Sequence, residues 1–373
     1  MSKKLRIGFI GCGGIAYGKH FPGMQNEANK GNVELVAFCD IIEERAVKAT
    51  KDYGCEGAKT YTDYKELLKD ESIDAVHVLT PNVSHSQISC DALRAGKNVM
   101  CEKPMAATTE DAKKMLDAMN ETGKLLTVGY QNRYAPVNRV AKDVIDDGYV
   151  GEVYYAKAKW LRRRGVPTWG VFLEKDKQGG GPNIDIGTHA LDLALYMMNN
   201  YEVDYVVGTS FEKLGSLSPK EQGQTDEAMK ANPWNNDTFE VEDSAFGYIK
   251  MKNGAVITLK SSWAINLPDE ICNGLNFTLA GTKGGVDTTT GVVRLNHIVA
   301  GQKATTIVGK KATVDVPGFS AGSVKDFDET DVWVKALKGE GELLIKAQEA
   351  YVVTAILDAI YISNETGKPV YFD

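Results

Sequence analysis

The chain has 373 residues, of which 43% are hydrophobic and 25% charged, and its formal net charge is −7. That length calls for two cores rather than one. The negative balance argues against nucleic acid or an anionic membrane as the main partner, and no apolar run approaches the ~20 residues of a membrane span.

The N-terminal "MSKKLRIGFIGCGG" could pass for a leader, but glycines soon break its apolar stretch, so it reads as a first strand. From residue 5 to about 130 the runs "LRIGFIG", "VELVAFCD", "DAVHVLT", "KNVMCE" and "KLLTVGY" alternate with helix-length segments. Near-continuous apolar strands interleaved with helices predict a parallel sheet covered on both faces, an α/β domain over 1–130. After residue 150 the strands become longer, turn-linked and often alternating, as in "EDSAFGYIKMKNGAVITLKSSWAIN", where Asn253-Gly254 signals a hairpin. These predict antiparallel strands in a second, α+β domain over 131–373. Residues 212–240 read as a polar surface excursion. Two helices, around 323–338 and 342–363, and a short strand "KPVYF" close the chain. The six cysteines (Cys12, Cys39, Cys55, Cys90, Cys101 and Cys272) show no CxxC spacing, so reduced thiols in a cytoplasmic protein are expected.

Directly after the first strand stands Gly11-x-Gly13-x-x-Ala16, with Gly14 and Ile15 completing the loop. Gly11 permits the tight turn, Gly13 lets backbone approach a pyrophosphate, and Ala16 keeps the following helix close to the sheet. The pyrophosphate would rest on the helix N-terminus. Asp40 ends the second strand, placed to accept hydrogen bonds from a ribose and to repel a ribose phosphate. Ile41 follows it, so NAD is expected over NADP, although Arg45 leaves NADP possible.

Residues 179–198, "GGGPNIDIGTHALDLALYMM", run from three glycines into a nearly all-apolar helix. At 3.6 residues per turn Asp185, His189 and Asp192 share one narrow stripe of it. Buried carboxylates and imidazoles are costly unless paired or employed. The stripe is therefore a candidate catalytic edge, with Asp185 also suited to cap the helix and Asp192 to hold the helix or orient His189. No third and fourth ligand stand at metal-site spacing beside Asp185 and His189, so no metal is expected.

Glu102-Lys103-Pro104 at the end of the fifth strand, together with the glycine motif, "TPNVSH" (80–85) and "DIGTHALD" (185–192), resembles the glucose–fructose oxidoreductase/inositol dehydrogenase (Gfo/Idh/MocA) family. The resemblance covers essentially the whole chain. It implies an N-terminal Rossmann domain and a C-terminal domain built on a large, mostly antiparallel open sheet that serves oligomer contacts, giving a homodimer or homotetramer. It implies transfer of a hydride between NAD(P) and a hydroxyl of a sugar, cyclitol or related polyol, with Lys103, Asp185 and His189 as the catalytic residues and also as substrate contacts. By the same resemblance Thr80, Asn82, His85, Glu102, Lys103 and Gln131 join the glycine loop and Asp40 around the cofactor. A lysine at the carboxyl end of a parallel strand also suits proton transfer or oxyanion stabilisation on general grounds.

Arg133, in "GYQNRY", borders the nicotinamide or the substrate on this reading. In "WLRRRGVPTWG" (160–170), Trp169 is placed to stack on a sugar face and Arg163 or Arg164 to clamp hydroxyls or a carboxylate, against the alternative of a solvated basic face. His20, His77 and His297 are read as structural. Two other functions compete with net dehydrogenation. One is redox-neutral glycoside cleavage or epimerisation through a transient keto-sugar, and the other is a non-catalytic sugar or dinucleotide sensor.

Overall fold

The computed structural model describes residues 3–217, 220–221, 239–308 and 328–373. The chain divides into two compact units, 1–130 with 327–354, and 131–326 with 355–373. The polar excursion expected over 212–240 lies mostly outside the described residues, as does 323–327, the expected start of the first closing helix.

In the first unit, strands β1 (Leu5–Ile10), β2 (Val33–Cys39), β3 (Lys59–Tyr61), β4 (Ala75–Val78), β5 (Asn98–Cys101) and β6 (Leu126–Val128) form one parallel sheet in the order β3-β2-β1-β4-β5-β6. This is the strand order of doubly wound dinucleotide-binding sheets. Periodicity did not reveal β3, because its three residues are exposed or half-exposed and carry no apolar pattern. The helix Thr109–Thr122 shows how local sequence sets its bounds. Thr108 accepts the Asp111 backbone N–H, Glu110 and Asp111 occupy the first turn, and Gly123 closes it at φ 64°.

The expected second domain, 131–373, is interrupted. The helix Glu329–Leu337 belongs with the first unit, where Trp333 and Val334 join the buried cluster of Phe9, Phe21 and Phe38. Its amphipathic pattern showed that it packs on something, and only the tertiary fold shows on what.

In the second unit β7 (Val153–Leu161), β8 (Val203–Phe211), β9 (Ser244–Met251), β10 (Val256–Ser262), β11 (Gly274–Gly281), β12 (Gly284–Asp287), β13 (Val293–Val299), β14 (Gln302–Val308) and β15 (Val370–Tyr371) make a nine-stranded sheet, ordered β14-β13-β12-β11-β7-β10-β9-β8-β15. Gly254, at φ 92°, turns β9 into β10. The expectation of antiparallel strands needs one correction, since β7 and β10 pair in parallel. A π-type turn, Asn183–Gly187, leads directly into the helix Thr188–Met198, which is buried nearly all round. That burial is what its unbroken apolar sequence requires.

Candidate active site

The glycine turn is built as its spacing demands. Gly11 sits at φ 99°, and a Cβ there would lie 2.5 Å from the Leu79 carbonyl oxygen, so both backbone angle and space require glycine. Around Gly13 and Gly14 nothing lies within 4 Å of where a Cβ would be, which leaves backbone open to an incoming phosphate. Ile15 is partly exposed, whereas Ala16 is fully buried in the sheet-side core. Asp40 is held by its own neighbourhood, with Oδ2 accepting the Cys12 N–H and Oδ1 the Ile42 N–H, each at 2.9 Å. Burial, helped by Asp40, pushes the Cys12 thiol up to about 12, so it stays a neutral filler of the turn. An open backbone cradle followed by a fixed acid fits NAD.

The "TPNVSH" and EKP turns are tied together. His85 is buried, and its Nδ1 and Nε2 lie 2.8 Å from the carbonyl oxygens of Pro104 and Thr80. Both ring nitrogens are therefore occupied by backbone, and burial lowers the imidazole pKa despite those two acceptors. His85 thus ties the two turns together through its ring nitrogens. Thr80 Oγ1 accepts the Ser84 hydroxyl at 2.7 Å, and Asn82 opens the short turn Asn82–Ser84. Glu102 is likewise tied to its own turn. Its side chain is 8% exposed, and Oε2 accepts the Lys103 backbone N–H at 3.1 Å.

In the second unit each member of the polar stripe meets a group from elsewhere in the fold. The Trp263 indole N–H donates to Asp185 Oδ2 at 3.0 Å. The His189 ring is 4% exposed and packs on Trp160, 5.4 Å between centroids. Asp192 forms a buried ion pair with Arg133, whose Nη2 lies 2.6 Å from Oδ1. Arg133 also spans the Tyr196 ring at 4.7 Å and reaches Tyr201 Oη at 3.2 Å. The pair ties the 3₁₀ turn Gln131–Tyr134 to the buried helix Thr188–Met198. Asp185 itself lies within the π-type turn, one turn ahead of His189. The wider i→i+5 spacing of that turn breaks the 3.6-residue stripe assumed from sequence.

The glycine run preceding this helix answers to close contacts. Cβ atoms at Gly180 and Gly181 would lie 2.0 Å from Tyr361 Oη and 2.1 Å from the Glu242 carbonyl oxygen. Glu242 accepts the N–H groups of Gly181 and Asn183 and the Tyr361 hydroxyl, at 2.9, 3.0 and 2.9 Å. Burial raises its pKa against those three donors. Sequence reasoning missed Trp263 as the support of Asp185 and Glu242 as the anchor of the glycine run before it. Neither carries a motif, and both reach their partners only through the fold.

Trp169 is 56% exposed and leads inward by ring contacts through Phe172 to Trp263. Arg163 pairs with Asp269 in solvent, and Arg164 donates to Asn266 Oδ1 at 2.7 Å. The guanidinium that meets the site aromatics is that of Arg162, 5.7 Å over the Trp160 ring. Gln131 opens the 3₁₀ turn Gln131–Tyr134. Among the described residues no group of three or more His, Cys, Asp or Glu could hold a metal ion.

Comparison with known proteins agrees with this anatomy. Residues 5–130 match the oxidoreductase family GFO_IDH_MocA in its NAD-binding Rossmann fold, and residues 142–372 match its C-terminal alpha/beta domain. D-glucoside 3-dehydrogenase of Escherichia coli is 32% identical over 369 residues, covering 99% of this chain and 98% of that protein. Inositol 2-dehydrogenase of Salmonella typhimurium is 32% identical over 166 residues, 44% of this chain and 48% of that protein. The structure of levoglucosan dehydrogenase in complex with NADH and levoglucosan superposes with a TM-score of 0.78 at 22% identity, covering 99% of both chains, a likeness of fold. The chain belongs to the Gfo/Idh/MocA family of NAD-binding oxidoreductases.

Proposed function

We propose that this protein is an NAD-dependent dehydrogenase that oxidises a CH–OH group of a sugar, cyclitol or related polyol. The observation that carries the reading is the end-to-end similarity to D-glucoside 3-dehydrogenase, in a chain that carries Lys103, Asp185 and His189. Bound NAD supplies the hydride acceptor, and Gly11, Gly13, Gly14 and Asp40 hold it. His189 takes the proton of the substrate hydroxyl as the C–H hydride departs. Lys103 steadies the developing alkoxide, and Asp185 fixes the substrate, its carboxylate oriented in turn by the Trp263 indole. Trp169 offers its exposed ring to the apolar face of the sugar.

Two finer features complete the reading. The six cysteines, all among the described residues, are free, which favours a reducing cytoplasm. No helix among the described residues is long and apolar enough to cross a membrane. A second copy of the chain covers the sheet at β8, β9 and β15, where Val207, Phe211, Tyr248 and Tyr371 are 40%, 41%, 39% and 70% exposed. A homodimer or homotetramer follows.

The test is absorbance at 340 nm as a D-glucoside, myo-inositol and levoglucosan are added in turn with NAD. Net reduction of NAD by any of them supports a dehydrogenase. Substrate consumed without net reduction moves the assignment to redox-neutral chemistry, and no turnover of any polyol overturns it.

A further inference from the structure

Beneath the EKP turn the first unit buries five ionisable side chains that hydride transfer leaves without a role. Lys19 Nζ lies 2.7 Å from Glu102 Oε1 and 2.5 Å from Glu329 Oε2. His20 Nε2 meets the same Glu102 Oε1 at 2.8 Å, and its Nδ1 lies 2.9 Å from His77 Nδ1. The three carboxylate and ammonium side chains are 19%, 8% and 3% exposed for Lys19, Glu102 and Glu329. Gly129 closes the remaining side, where a Cβ would stand 3.0 Å from Glu102 Oε1.

The hydrogen-bond logic of this group leads to Lys103. With Nε2–H of His20 and the Lys19 ammonium both donating to Oε1, Oε2 is left to accept the Lys103 backbone N–H. A protonated Glu102 could turn a donor toward that N–H, and the bond would be lost. Burial alone would protonate Glu102, but Lys19 and His20 more than offset it and hold its pKa well below the usual carboxylate range. Glu329 is the member that yields, since burial, opposed by Lys19, pushes it up to about 7. Burial keeps His20 and His77 neutral by lowering both. Asp328, the Cys101 thiol and the His85 imidazole also face the cluster.

We propose that Lys19 is a positioning residue for the EKP turn, holding Glu102 as the carboxylate that fixes the backbone of Lys103. This rests on the reading of Lys103 as a group acting on substrate. Lys19 touches neither substrate nor cofactor in this role and works only through Glu102.

Lys19→Met, Lys19→Arg, Glu102→Gln, the double Lys19→Met/Glu102→Gln and Lys103→Met are compared per folded site, with the panel polyol that reduces NAD fastest. Melting temperature and NADH affinity are measured alongside. Lys19→Met is expected to lower kcat about 10- to 100-fold with NADH affinity nearly unchanged, the cost of a misplaced reacting group. Its pH profile should lose activity at a higher pH on the acid side, because Glu102 takes up a proton more readily. Lys19→Arg restores most of kcat, and the double variant loses no more than the worse single, since the two groups act as one unit. Glu102→Gln keeps the side-chain volume and carries the same expectation independently. Wild-type kcat and an unmoved acid limb in Lys19→Met, whatever its melting temperature, overturn the proposal, and so does additive loss in the double variant. Near-normal turnover in Lys103→Met ends the reading of Lys103 itself. An inactive Lys103→Met beside a fully active Lys19→Met ends this proposal alone.

Discussion

Replacing Arg133 by methionine keeps most of the side-chain volume and removes the guanidinium that Asp192 depends on. Nε lies 3.1 Å from both Asp192 oxygens and Nη2 lies 2.6 Å from one of them, with the two side chains 0% and 1% exposed. Without the guanidinium, burial favours the neutral form of the carboxyl, which is reached by taking up a proton. From an ordinary aspartate pKa near 3.9, that costs about 4 kcal/mol at pH 7. The figure sits within the roughly 3–5 kcal/mol lost when one partner of a buried pair is removed. For a unit of this size each kcal/mol moves Tm by about 2–4 °C, so Arg133→Met should melt roughly 8–16 °C below wild type at pH 7. The sign with pH follows from the raised folded-state pKa of this carboxyl once the guanidinium is gone. The deficit is absent below the unfolded value, grows as pH rises through it, and so shrinks by about 1.4 kcal/mol per unit between pH 7 and pH 4. Calorimetric melts at pH 7, 6 and 5 measure this directly, with Arg133→Met/Asp192→Asn expected to recover most of the loss. A single variant melting within about 2 °C of wild type at pH 7 would refute the reasoning. If its KM for the sugar rose as well, the substrate-facing role read from "GYQNRY" would be supported.

His189→Ala should cut turnover per folded site about 10²- to 10⁴-fold and leave NAD affinity nearly unchanged, and near-normal turnover in a merely destabilised variant would end the general-base assignment. Asp40→Ala should narrow the preference for NAD over NADP by relieving repulsion of the ribose phosphate, as fluorescence titration of both cofactors would show, and equal wild-type affinities would sink it. Light scattering at micromolar concentration should find a dimer or tetramer, whereas a strict monomer would leave the aromatic sheet face without a partner.

Much of this architecture was legible before any coordinate. The parallel sheet declared itself because buried parallel strands must be apolar throughout, and the glycine turn because only glycine tolerates Gly11's φ and its approach to Leu79. Such demands are local, so they leave marks at fixed spacing. The short β3, the parallel β7–β10 pair and the return of Glu329–Leu337 to the first unit left none.

The same division runs through the site. That Asp185, His189 and Asp192 sit on a buried helix follows from the sequence alone, because an all-apolar helix has nowhere else to go. What each of them does depends on groups far along the chain. Asp192 is claimed by Arg133, 59 positions away, and Asp185 by Trp263, 78 positions away. Lys19 reaches Glu102 across 83 positions. A buried charge must be paired, and the residue type announces that need. The partner is chosen by whichever elements the two sheets bring within hydrogen-bond reach, and that choice exists only in the tertiary structure.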